Sequence, residues 1–295
     1  MTPVEMVQLA LQASMVLMVL GVGLQCSRKD LSDILARPDI VLRAMVAVNL
    51  VVPLAAIILC LIFPLAPAAR AGIVIMAVSP LSPLVLGKML KIGAVRAHVV
   101  GAYFMLVLAS VLIVPLTVEA LSLGLGRDFG VPASSIFALV AVTVLLPLCC
   151  GILVGSLLPG LAAPAARVAT ILGLVLFLPI VVLLLYRSGA GMLALAGNGT
   201  LLVIALTILA GFAAGHLLGG PDPQARLALA HAATTRHPAI AALIAGANFQ
   251  DRGVMLAIFL FLFAGILFSA LYGAWLKKRY FPAGPAGAAA ATPAS

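Results

Sequence analysis

Nearly every charged side chain of this chain falls where an apolar run ends, and Arg236 is the exception. It lies in the stretch Ala230-His-Ala-Ala-Thr-Thr-Arg-His-Pro238, just ahead of the apolar run Ala239–Ala247. Ten residues of helix from Arg226 rise roughly 15 Å, half of a bilayer's hydrocarbon thickness. An arginine at that depth costs about 2.5–3.5 kcal/mol even on the mildest scale. Its planar fork of donors suits a carboxylate or a sulfate. Thr234 and Thr235 add hydroxyls, and the neighbouring His237 is able to relay a proton or to serve as packing. His231 lies one and a half turns earlier as a further polar candidate.

A second polar cluster reads Ser79-Pro80-Leu81-Ser82-Pro83, with Ser82 twelve residues beyond Arg70 and so roughly 18 Å into the membrane. Ser79 and Ser82 are hydrogen-bonding candidates. Asn49, ahead of Pro53, is expected to line the core. Lys88 sits near a span end, where snorkelling competes with substrate contact. The chemistry open to this set is anion binding.

Catalysis is a poor fit. No H-E-x-x-H occurs, and the eight acids (Glu5, Asp30, Asp33, Asp39, Glu119, Asp128, Asp222 and Asp251) all fall at span ends or in connections. Ser79 or Ser82 with His231 or His237 would lack an orienting acid. Cys26, Cys60, Cys149 and Cys150 show no ligand spacing. The expectation is therefore no enzyme, no metal and no cofactor.

The elements that position these residues follow from composition. The chain is 64% hydrophobic and 8% charged, against roughly 25% charged in a soluble domain. A net charge of +9 raises the possibility of nucleic acid, but the charges flank apolar runs rather than cluster on a face. They read as membrane-edge anchors. The partners expected are the lipid bilayer and a small organic anion; the oligomeric state is not legible.

Breaks at Pro, Gly and charge clusters divide the chain into nine helical spans: roughly 4–24, 39–63, 70–90, 97–119, 133–157, 165–186, 199–218, 226–248 and 253–276. Residues 281–295 read as a disordered tail outside a membrane domain of residues 1–280. The odd-numbered connections and the C-terminus carry twelve Lys and Arg, and the even-numbered ones carry Arg70, Arg127, Arg187 and Arg252. The positive-inside rule then puts the N-terminus outside and the C-terminus in the cytoplasm of a multi-pass plasma or bacterial inner membrane protein.

Pro80 and Pro83 interrupt the third span, and Pro238 interrupts the eighth. One half-helix is expected to end near Ser79, with Ser82 capping the next and Thr235 capping the half after Pro238. Pro53, Pro115, Pro147 and Pro179 read as simple kinks. Broken helices in matching halves mark a transport site, and an offset of five spans implies inverted repeats. The fold class expected is all-α and polytopic, with two broken, crossing helices.

The segment Met18-Val-Leu-Gly-Val-Gly-Leu24, followed by Asp30-Leu, Arg37-Pro38, Val41 and Pro53-Leu54, resembles the opening of bile acid:sodium symporters. The resemblance spans roughly residues 5–276 and implies a core of spans 2–4 and 7–9 with a moving panel of spans 1, 5 and 6. It also implies sodium sites, yet the family's ligating Glu aligns with Ala232, and its Gln-Asn pair with Arg236 and His237. In Leu81–Leu86 only Ser82 is polar. The function expected is alternating-access transport of a small organic anion, a carboxylate or sulfate with bile-acid-like bodies among the candidates, without sodium coupling. The alternatives are ordinary sodium symport and, from another class, a membrane scaffold or an intramembrane enzyme. Substrate identity, direction and coupling ion are not encoded legibly.

Overall fold

Thirteen α-helices, with short π-helical turns, make up the described part of the chain, and no sheet forms there. A computed structural model of the protein describes residues 3–82, 85, 89, 96–125 and 133–280. Pro83, Lys88, Lys91, Arg127, Asp128 and the 281–295 tail lie outside the described residues.

Seven helical stretches are long and apolar enough to cross a bilayer, the longest running Gly189–Leu218. Leucine, isoleucine and valine side chains stand exposed along them, as lipid-facing surfaces require. The protein is an integral, multi-pass membrane protein. The third and eighth spans of the sequence reading do not appear among the seven, because each is represented by shorter helices.

Helix α1 (Pro3–Gln25) packs against α8 (Leu146–Leu157) and α9 (Pro159–Leu195). The contact is close because glycine faces glycine. A Cβ on Gly151 would stand 2.8 Å from the Cα of Gly23, and one on Gly173 would stand 2.8 Å from the Ser14 carbonyl oxygen. In lipid, where apolar surface gains little by association, such small residues let backbones approach and gain dispersion contact.

Between α1 and the second span lies α2 (Arg28–Leu35), which the sequence reading left as loop. A capping box starts it: the Ser27 hydroxyl accepts from the Asp30 N–H at 3.1 Å, and the Ser27 N–H donates to Asp30 Oδ2 at 2.9 Å.

The second span joins α3 (Pro38–Met45) to α4 (Val52–Ile62) through a π turn, Val46–Val51. The fifth joins α7 (Ala133–Val140) to α8 through another, Ala141–Leu145. Each π turn runs into a proline, Pro53 and Pro147, so these prolines do more than kink. By contrast α6 (Arg96–Leu125) and α9 run unbroken through Pro115, Pro164 and Pro179.

Helix α9 also outruns the expected 165–186, so the loop expected at 189–195 is helical. Gly189 and Gly191 are tolerated within it. The break comes at Asn198 and Gly199, whose positive φ of 78° only glycine adopts freely. Helix α10 (Leu201–Leu218) then pairs with α11 (Pro223–Thr234), which Asp222 starts by accepting from the Ala225 N–H at 3.1 Å. Helices α12 (Pro238–Asn248) and α13 (Arg252–Tyr280) complete the chain.

Candidate functional site

Helix α5 (Pro67–Val78) ends where Pro80 removes a donor, with Ser79 as its C-cap. Gly72 seats it on α13, since a Cβ there would stand 2.6 Å from that of Ala257. Gly211 and Gly215 of α10 and its C-cap Gly219, about one per turn, seat α11 in the same way. Two half-helices are thus held from behind, and their broken ends meet.

They meet as a short antiparallel pairing of Leu81 with Arg236. The Ser82 N–H donates to the Thr235 carbonyl at 3.2 Å, and the His237 N–H donates to the Pro80 carbonyl at 2.9 Å. Backbone that each helix leaves unsatisfied is thereby satisfied by the other, as membrane depth demands. Thr235 is spent on this pairing and does not cap α12; His237 occupies the cap position with no side-chain bond. The Ser82 carbonyl accepts from the Val85 N–H at 3.1 Å.

Arg236 turns inward from the crossing and is 2% exposed. Its Nη1 donates to the Ser79 carbonyl at 3.2 Å, and its Nη2 donates to the Val48 carbonyl. Both acceptors are free for a reason written in the sequence. In α-helical register Ser79 would accept from the residue four ahead, Pro83, which has no N–H. In the π turn Val48 would accept from the residue five ahead, Pro53, which also has none. The sequence reading found no partner for Arg236 because it considered side chains only.

Three nitrogens at the crossing remain buried without a hydrogen-bond partner among the described residues: Arg236 Nε and both ring nitrogens of His237. The Nδ2 of half-buried Asn49, in the neighbouring π turn, is a fourth. The candidate hydroxyls are committed locally. Ser79 Oγ donates to the Ile75 carbonyl at 2.7 Å, and Thr234 Oγ1 donates to Ala230 at 3.1 Å. His231 stands apart from the crossing, with its Nδ1 2.9 Å from Ser269 Oγ and its ring edge-on to Tyr272. Tyr272 hydroxyl in turn meets His216 Nδ1 at 3.1 Å, a contact the sequence reading did not anticipate.

Two cavities approach the crossing. One of about 110 Å³ has exposed Arg43 and Asp222 in its wall and is otherwise mostly apolar, reaching Tyr103, Ala228, Leu81 and Ala232. The other, of about 30 Å³, touches Met76, Thr235, Arg236, Phe261 and Gly265. That is about two to three times the smallest such space that holds one water. Among the described residues no group of three or more His, Cys, Asp and Glu is arranged to hold a metal ion.

Residues 13–194 match the model of the Sodium Bile acid symporter family, more than half of the chain. The chain belongs to that family. No curated protein matches it. Membership in a family of symporters places the chain among membrane carriers and not among enzymes. The family match ends within α9, so Arg236 and His237 lie beyond it. Their position opposite the first break comes from the geometry of the crossing.

Proposed function

We propose that the protein carries a small organic anion across the membrane by alternating access, with the crossing of the two broken spans as its binding site. The observation that carries this reading is the set of buried, unpartnered nitrogens on Arg236 and His237 at the start of α12. An unsatisfied buried donor costs about 1–3 kcal/mol, and an oxyanion would accept from Arg236 Nε and from the His237 ring nitrogen that carries the proton while meeting the partly positive end of an 11-residue helix. Thr234 and Thr235 line the small cavity beside Arg236, and Ser79, Ser82 and Asn49 complete the proposed site. The apolar wall of the larger cavity, which ends at Leu81 and Ala232, suits a substrate with an apolar body.

The architecture proposed with it has nine spans in two inverted repeats, the N-terminus outside and the C-terminus cytoplasmic. Spans 2–4 and 7–9 form the core; spans 1, 5 and 6 form the panel. The carrier works without sodium. A dehydrated sodium ion needs several oxygen ligands and a compensating negative charge. All eight carboxylates are peripheral by sequence, and the guanidinium of Arg236 repels a cation brought close in a dry site.

Uptake of labelled hydrophobic carboxylates and sulfate esters into proteoliposomes tests both parts. Wild type should accumulate an anion equally in sodium, potassium and choline media. Arg236→Lys, which keeps the charge but loses the free Nε–H, and His237→Ala should each lower uptake about tenfold or more, the effect of losing roughly 1.4 kcal/mol of binding. Full uptake by both variants defeats the site. A tenfold tightening of wild-type affinity by sodium defeats the coupling claim and restores ordinary sodium symport.

A further inference from the structure

Main-chain carbonyls are the usual ligands of dehydrated monovalent cations, and two of them converge here on one charged group. The carbonyls of Ser79 and Val48 come from different spans, and both residues are fully buried, at 0% and 1% exposure. Each is denied its helical donor by a proline in the sequence, as described above. Ser79 also caps the C-terminal end of α5, where the helix directs its partial negative charge. The result is a concentration of negative potential at mid-depth that no side-chain donor other than Arg236 meets among the bonds described there.

We infer that these carbonyls form a monovalent-cation cradle of which the Arg236 guanidinium is the permanent, covalently tethered occupant. The arginine then has two faces. Its two terminal nitrogens hold spans 2 and 3 together, and its Nε stays free on the other side. The tether explains why a midplane arginine persists without any acid beside it. A further consequence is that the cradle becomes a site for a free guanidinium, whose N–H groups need only these two acceptors, once the tether is cut.

The inference concerns the crossing itself and does not depend on which solute is carried, so it is tested without transport. Purified Arg236→Ala, Arg236→Lys and wild type would be melted in choline chloride, with potassium, sodium or methylguanidinium replacing choline at constant ionic strength. Arg236→Ala should melt below wild type in choline. It should rise saturably with methylguanidinium, and not with sodium or potassium, by about 3 °C at ten times the dissociation constant. Wild type and Arg236→Lys, whose cradles are filled, should not respond. An Arg236→Ala protein that matches wild type in choline and ignores every cation overturns the inference. If Arg236→Ala does not fold in any of the media, the neutral Arg236→Gln decides. Wild-type melting by Arg236→Gln in choline overturns the inference, and melting well below Arg236→Lys supports it.

Discussion

Gly215 is the point at which α10 and α11 come closest, and a single methyl group there tests the packing that holds the second break in place. A Cβ at Gly215 would run into the Cα and N of Ala230 and stand 2.6 Å from the carbonyl carbon of Leu229. All three are backbone atoms of a helix, so no side chain can rotate out of the way. Relief requires α11 to move off α10 by about 1 Å, toward an ordinary 3.4–4 Å contact. Overpacking of this kind costs about 1–3 kcal/mol, and the upper part of the range applies when the obstacle is main chain. Against it stands the helix preference of alanine over glycine, about 0.5–1 kcal/mol. Gly215→Ala should therefore destabilise by about 1–2 kcal/mol, a fall of about 3–6 °C in the melting temperature of the purified protein in detergent. Gly189, inside α9, is the control, because a Cβ there meets nothing within 4 Å. Gly189→Ala should melt at or slightly above wild type. A Gly215→Ala protein as stable as wild type, or two variants shifting together, would refute the reasoning.

Topology is open to direct labelling. With native cysteines replaced, a single cysteine at Asn198 should react with an impermeant maleimide in intact cells, and one at Ala290 only after lysis; the reverse pattern would invert the orientation. The Ser27–Asp30 capping box predicts that Asp30→Ala costs about 1 kcal/mol of stability, read as a lower melting temperature, whereas Asp33→Ala on the same short helix should be nearly neutral.

The seven long apolar helices were legible because hydrocarbon thickness fixes the length of an apolar run, and the breaks at Pro80 and Pro238 because prolines cannot donate. Where those two constraints stop, so did the reading. Gly189 and Gly191 look like loop residues, yet α9 carries both and ends only at Gly199, where the backbone itself requires glycine. The α2 helix was missed although its Ser27-Arg-Lys-Asp30 capping pattern stands in the sequence. Thr235 was assigned to a cap by its type and position, but strand-like pairing with Ser82 claims its carbonyl. The partners of Arg236 were the largest omission. They are carbonyls, which no residue letter records, and the available signal was indirect. Counting four residues back from Pro83 and five back from Pro53 would have pointed to Ser79 and Val48.

The same hydrogen-bond accounting bears on what moves. The crossing ties spans 2, 3 and 8 through four bonds, two between backbones and two from Arg236, so those spans shift as a unit. Helices α1, α8 and α9 are tied just as firmly, since their glycines bring backbones within contact. The seam between the two groups is of another kind. It consists of apolar side chains, with Leu11, Phe177, Ile180 and Met192 on one side and Ala239, Ala242 and Phe259 on the other. The nearest neighbour of a Cβ on Gly191 at this seam is the mobile tip of Leu256, not backbone. Apolar side chains sliding over apolar side chains lose little in any register, whereas separating the glycine contacts would lose close dispersion contact and separating the crossing would strip backbone of its partners. Relative motion of the proposed panel and core is therefore the low-cost motion of this molecule. The seam passes Ala239 and Ala242 on α12, within two turns of His237, so on the proposed alternating-access reading sliding there would open or close space beside the unpartnered nitrogens.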